Sequence, residues 1–132
     1  MKTMLDVCCS AGGATRGYQQ AGFYVIGVDI KPQPRYVGDE FIQMDAIDAI
    51  RRLGQTVDAI HVSPPCQFYT RLAFKRTDLK DRYPDMVSQV RDELRQTGKP
   101  YVIENVPEAP LLNPIVLCGA AFGLRVYRHR AF

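Results

Sequence analysis

Hydrophobic and polar positions along the chain follow two alternating periods. TMLDVC (3–8), FYVIGVDI (23–30), EFIQMD (40–45), VDAIHVS (57–63) and PYVIENV (100–106) are short, apolar and β-rich, the pattern of strands buried on both faces. Helical stretches lie between them. A glycine-rich turn, SAGGATRG, leads into a helix that runs to about Ala21 and is closed by Gly22. AIDAIRRL (46–53) reads as a helix stopped by Gly54. From Pro84 to about Thr97, Met86, Val87, Val90 and Leu94 share one helical face, with Pro84 suited to the first turn and Gly98 to the C-terminal cap. Strands and helices in alternation predict an α/β fold with a mostly parallel sheet. PLLNPIVLCGAAFGLRVYRHRAF (110–132) predicts two further strands around a glycine-containing turn.

Composition narrows the class. A chain of 132 residues suits one domain with a real core, and 46% hydrophobic with 23% charged residues is globular. No apolar run approaches the roughly 20 residues of a membrane span. MKTMLDV passes straight into a strand, so a cytoplasmic protein is expected. Cysteines at 8, 9, 66 and 118 form neither a CxxC pair nor a zinc-like cluster, which predicts a reducing compartment and no metal. The net charge of +3 is modest, but Arg71, Lys75, Arg76, Lys80 and Arg82 gather in one segment, and Arg125, Arg128 and Arg130 in another.

Three stretches carry candidate chemistry. LDVCCSAGGATRG joins a strand to a helix through glycines at 12 and 13, whose bare backbone lets a nucleotide-like ligand approach. It is not GxGxxG, which disfavours a dinucleotide site. Asp29 and Asp45, ending the second and third strands, are placed to accept hydrogen bonds from a ribose and an adenine amino group. Either could equally cap a helix, as Asp45 could for 46–53. SPPCQ puts Cys66 at a strand's carboxyl end, as a nucleophile or as an inert small residue. VIENV puts Glu104 and Asn105 on the same edge, for proton donation or for a structural hydrogen bond.

Taken in order, LDVCCSAGG, VDI, SPPCQ, IENV and RHRAF resemble the DNA (cytosine-5)-methyltransferase family, over residues 4 to 132. Residues 103–130 are most similar to short phage- or prophage-type members. The resemblance implies a Rossmann-like methyltransferase fold, with helices on both faces of the sheet, and S-adenosyl-L-methionine as cofactor. Asp6, Cys8, Cys9 and Ser10, with Ala11, Gly12 and Gly13, would form the cofactor turn. Asp29, Ile30, Asp45, Ala46 and Pro64 would complete that site. Cys66 would be the nucleophile that adds to C6 of a flipped cytosine, Glu104 the donor at N3 and Arg130 the ligand of O2. Arg128 would support the catalytic loop or a phosphate, and Asn105 is grouped with these catalytic residues. Gln67 would begin a closing loop, with Arg71, Lys75 and Arg76 contacting DNA phosphates.

Departures from the family pattern are Cys8 in place of an aromatic residue, Ser10 in place of glycine, and Val126 in place of glutamine. The family continues into a target-recognition region and a final helix that completes the cofactor pocket; both are expected to be lacking here. A separate recognition subunit is therefore a further implied partner. Two other readings stay open: a cofactor- or DNA-binding protein without turnover, and the same chemistry on RNA.

Overall fold

A computed structural model of the chain describes residues 1–132, the side chains of Leu72, Phe74, Thr77 and Leu79 excepted. Strands β1 (Thr3–Val7), β2 (Tyr24–Asp29), β3 (Glu40–Gln43), β4 (Ala59–Val62) and β5 (Tyr101–Ile103) form one parallel sheet in the order β3-β2-β1-β4-β5. Helices are α1 (Gly13–Gln20), α2 (Ala46–Leu53), two short ones, α3 (Arg71–Lys75) and α4 (Thr77–Arg82), and α5 (Val87–Thr97). An antiparallel hairpin, β6 (Val116–Cys118) and β7 (His129–Ala131), follows. It joins the sheet through one bridge, where Asn105 and Ala131 exchange both backbone hydrogen bonds at 3.0 and 2.9 Å.

The α/β expectation holds, and element ends explain why. Gly22 (φ 90°) and Gly98 (φ 67°) close α1 and α5 in the left-handed region that suits glycine. Asp45 caps α2, its Oδ1 accepting from Ile47 N and Asp48 N. The helix predicted from Pro84 begins three residues later. There the buried Tyr69 hydroxyl accepts the Val87 N–H at 3.0 Å and donates to Asp85, so residues 84–86 are held as a turn instead.

The two sheet faces differ in chemistry. Register aligns Ile42, Val28, Val7, Val62 and Ile103 in one row across all five strands. That aliphatic face packs on Ile47, Ile50, Val90 and Leu94 of α2 and α5. Each such buried side chain is worth about 1.5–3 kcal/mol of transfer free energy. The neighbouring row points to the α1 side and reads Phe41, Gly27, Asp6, His61, Val102. Thr15 of α1 donates to Asp6 Oδ2 at 2.5 Å, and Tyr18 of α1 meets His61 Nδ1 at 2.7 Å. Tyr36 lays its ring where a side chain on Gly27 would sit, and its hydroxyl lies 3.1 Å from Thr15 Oγ1. Helices thus cover both faces, with α1 against a polar seam.

Most large apolar side chains exposed among the described residues lie after residue 111. They include Ile115, Val116, Phe122, Leu124 and Tyr127, the last 83% exposed.

The seam makes stability depend on pH in two opposing ways. Burial pushes the Asp6 carboxyl up to about 6, with the Thr15 hydrogen bonds only partly offsetting it. Burial also pushes His61 down to about 4. Native Asp6 keeps a proton that the unfolded chain releases above its ordinary value, so this group costs stability as pH rises from about 4 to 6. Native His61 refuses a proton that the unfolded chain accepts, so its contribution is present above pH 6.5 and lost towards pH 4. Asp6→Asn removes only the first effect. Urea unfolding should find the variant more stable than the parent by roughly 2–3 kcal/mol at pH 7.5, with no such gain below pH 4. A gain independent of pH would mean that Asp6 ionises normally in the fold.

Candidate active site

The order in which strands are added to the sheet reverses between β1 and β4, and a cavity of about 840 Å³ opens there beyond the carboxyl ends of the strands. Ligands of doubly wound folds bind at this crevice. Cys8, Ser10, Asp29, Ile30, Asp45 and Ala46 line it, as the sequence predicts. Ser63, Pro65 and Gln67 form the wall on the β4 side.

The rest of the predicted cofactor set lies elsewhere. Asp6 is 1% exposed, beneath α1, because side chains alternate along β1 and its face is the polar seam. Its Oδ1 has no hydrogen-bond partner among the described residues. Cys9 is buried, with its N–H donated to Val28 O. Ala11 ties its carbonyl to Val37 N at 3.2 Å, while Gly12 and Gly13 open α1. Pro65, rather than Pro64, reaches the cavity.

The turn after β1 is built on unusual backbone. Cys8 (φ 61°) and Ser10 (φ 48°) are left-handed although neither is glycine, and Gly12 (φ 96°) completes the run. Asp29 holds the turn: Oδ2 accepts the Ser10 N–H and Oδ1 the Lys31 N–H, both at 3.0 Å. Asp45 spends Oδ1 on the α2 cap, leaving Oδ2 uncommitted among the described residues. Both predicted acids therefore face the cavity and build its frame as well.

Three cavity residues of the segment before α5, Tyr83, Pro84 and Met86, were not foreseen, nor were Lys31, Arg51 and Gln89. Met86 was visible only as a core position, and nothing in the local sequence separates the two roles.

None of the predicted catalytic residues is among those lining the cavity. Cys66, half-buried, stands between Pro65 and Gln67. Glu104 and Arg130, 26 positions apart, form an ion pair at 2.9 Å between Oε1 and Nε. Asn105, grouped with the catalytic residues from sequence, instead acts on the loop. Its buried Nδ2 donates to Pro64 O at 3.0 Å, and its Oδ1 accepts from Val106 N. Ser63 N donates to Val7 O at 3.1 Å, so the segment leading to Cys66 is pinned from β1 and from β5. Arg128 is exposed, and its side chain makes no hydrogen bond or ion pair among the described residues. Arg71 pairs with Glu108 at 2.7 Å and Arg76 with Asp78 at 2.9 Å, while Lys75 is exposed. Exposed pairs of this kind contribute little, so their arginines can exchange partners.

Two cysteines are removed from nucleophilic chemistry by their surroundings. Burial, then the charges of Asp29 and Asp6, push the Cys8 thiol up to about 12. Burial, then Asp6 and Asp29, do the same to Cys9. Both stay protonated at neutral pH, whereas the thiolate is the reactive form.

The crevice, the strand order and the layered helices define a Rossmann-like α/β fold. No protein-family model matches the sequence, and no curated protein matches it. Among solved structures the chain is similar to a methyltransferase from Entamoeba histolytica, at 17% identity and TM-score 0.67, over 99% of this chain and 51% of that one. A protein solved in complex with UDP-glucose and NAD follows at 14% identity and TM-score 0.53, over 78% and 36%. An epimerase from Methanothermobacter thermautotrophicus follows at 19% identity and TM-score 0.51, over 77% and 34%. The chain spans about half the length of the Entamoeba methyltransferase. Among the described residues no helix is long and apolar enough to cross a membrane.

The turn yields a test of its strain. A left-handed φ costs a non-glycine residue about 1–2 kcal/mol, partly offset by glycine's greater freedom when unfolded. Ser10→Gly should therefore stabilise the protein by about 0.5 kcal/mol. Gly12→Ala should destabilise it by about 2 kcal/mol, since the added Cβ would also lie 2.9 Å from Val37 Cγ2. Chemical unfolding of both variants measures this; the opposite order would show the turn to be relaxed.

Proposed function

We propose that the chain is the catalytic core of an S-adenosylmethionine-dependent methyltransferase acting at C5 of cytosine in DNA. The observation that carries this reading is the meeting of Glu104 and Arg130 at 2.9 Å, next to the asparagine that holds the loop of Cys66. Segments far apart in sequence supply the three functional groups that cytosine activation requires: Glu104 and Arg130 as that pair, and Cys66 between the cavity-lining Pro65 and Gln67.

The cavity suits the cofactor. Ile30, Met44 and Met86 offer apolar walls for an adenine, and Asp29 and Asp45 offer carboxylates for hydroxyl and amino groups. When bound there, S-adenosylmethionine supplies an electrophilic methyl group. Cytosine C5 is a weak nucleophile. The Cys66 thiolate would add to C6, making C5 enamine-like. Glu104 would donate to N3 as negative charge moves onto the ring, and Arg130 would hold O2. Entry of the base thus exchanges the Glu104–Arg130 contact for contacts of each with the base. After methylation, loss of the C5 proton and departure of the Cys66 thiolate restore the ring. A cytosine in a duplex must flip out to reach this site. Arg71, Lys75 and Arg76 on α3 and the turn after it would then meet phosphates, the two arginines leaving their carboxylates.

Incubation with S-adenosylmethionine and duplex DNA containing 5-fluorocytosine tests the reading, because fluorine at C5 blocks the last elimination. Intact mass should show an adduct on Cys66, and Cys66→Ser should lower adduct formation and methyl transfer by at least about 10³-fold. Methyl transfer that persists in Cys66→Ser would overturn the mechanism. Transfer to RNA in preference to DNA would redirect the substrate.

A further inference from the structure

VDAIHVS puts a histidine in the middle of a buried, apolar strand, and the mechanism above makes no use of it. His61 is 3% exposed. Both ring nitrogens are nevertheless engaged: Nδ1 lies 2.7 Å from the Tyr18 hydroxyl of α1, and Nε2 lies 2.8 Å from Ser63 Oγ. Strand alternation places Ile60 and Val62 in the aliphatic core, with His61 on the opposite face. A valine in that row would fill space without burying an imidazole, so packing alone does not account for the residue. Ser63 is the first residue of Ser-Pro-Pro-Cys and lines the cavity.

The direction of the bonds follows from the inventory of donors. Buried His61 is neutral above about pH 4, so one ring nitrogen donates and the other accepts. Among the described residues the Tyr18 hydroxyl proton has no acceptor other than Nδ1. Tyr18 therefore donates to Nδ1, Nε2–H donates to Ser63 Oγ, and the Ser63 proton is left free to turn towards the cavity.

We infer that His61 is a positioning residue that acts through Ser63, fixing the hydroxyl and the start of the loop that aims Cys66. Val7 O holds Ser63 by its backbone and Asn105 holds Pro64 by its carbonyl. His61 adds the one hold on the Ser63 side chain among the described residues, backed by an element, α1, that neither of the others uses. The inference rests on the reading of Cys66 as the attacking thiol.

Two isosteric changes separate the bonds. The amide of His61→Asn falls near Nδ1 and keeps Tyr18 but loses Ser63; the amide of His61→Gln falls near Nε2 and keeps Ser63. Two rates are measured on the full chain: the 5-fluorocytosine adduct on Cys66, and alkylation of Cys66 by iodoacetamide, mapped by mass with Cys118 as internal reference. His61→Asn and Ser63→Ala should each slow adduct formation about 10-fold or more. Each should speed Cys66 alkylation several-fold while Cys118 is unchanged. The double variant should be no worse than either single one, and His61→Gln should rescue both rates. Ser63→Ala keeps the test open should His61→Asn fold poorly. If the parent forms no adduct but Cys66 alkylation follows this pattern, the cytosine reading falls and the positioning role stands. If Ser63→Ala matches the parent in alkylation, or Cys118 loosens equally, His61 is structural only and the inference falls.

Discussion

One buried amide holds the parts of the site together. Asn105 is 1% exposed, and all of its polar groups are committed, the backbone to Ala131 and the side chain to Pro64 and Val106. Its backbone pairs with Ala131 and so attaches the hairpin that carries Arg130. Its side chain grips Pro64 and so fixes the loop that carries Cys66. Its neighbour in the chain is Glu104. Three segments are thereby referred to one residue just after β5. An apolar residue of the same size would leave the Pro64 carbonyl and the Val106 N–H buried without partners, at about 1–3 kcal/mol each.

The sheet divides its work between faces. The aliphatic row from Ile42 to Ile103 supplies burial, and α2 and α5 cover it without a polar atom to satisfy. The seam on the other side carries Asp6 and His61, which cost desolvation and are compensated only in part. Such a seam adds little net stability but fixes geometry, because hydrogen bonds are directional where aliphatic contacts are not. Thr15, Tyr18 and Tyr36 meet it from two separate segments, so α1 has one azimuth and one depth on the sheet. The turn that opens α1, and with it Ser10 at the cavity, inherits that precision.

Much of the frame was legible because it is local. Periodicity gave the five strands and the helices α1, α2 and α5, and Gly22, Gly54, Asp45 and Gly98 marked their ends by chemistry that acts over a few residues. The start of α5 was misplaced because its cap comes from Tyr69, eighteen positions upstream, which no local rule can see. The same limit governs the site. Asp29 and Ser10 line the cavity because of the edge they occupy, which the strand pattern marks. Asp6 was misjudged because a strand residue's face depends on register, not on closeness to the turn. Asn105 was read as a participant because its real target, Pro64, lies 41 positions away. His61 did leave a signal, a lone polar residue inside an apolar run, and its partners could be named only once α1 was laid on the sheet.

The hairpin that delivers Arg130 has a practical side. Ile115, Val116, Phe122, Leu124 and Tyr127 meet water, and the chain carries a net charge of only +3 to keep copies apart. Colloidal behaviour is then set by surface rather than by folding free energy. Sulfate-rich buffers, which strengthen apolar association, will salt this protein out early, and a fully native sample can still be a turbid one.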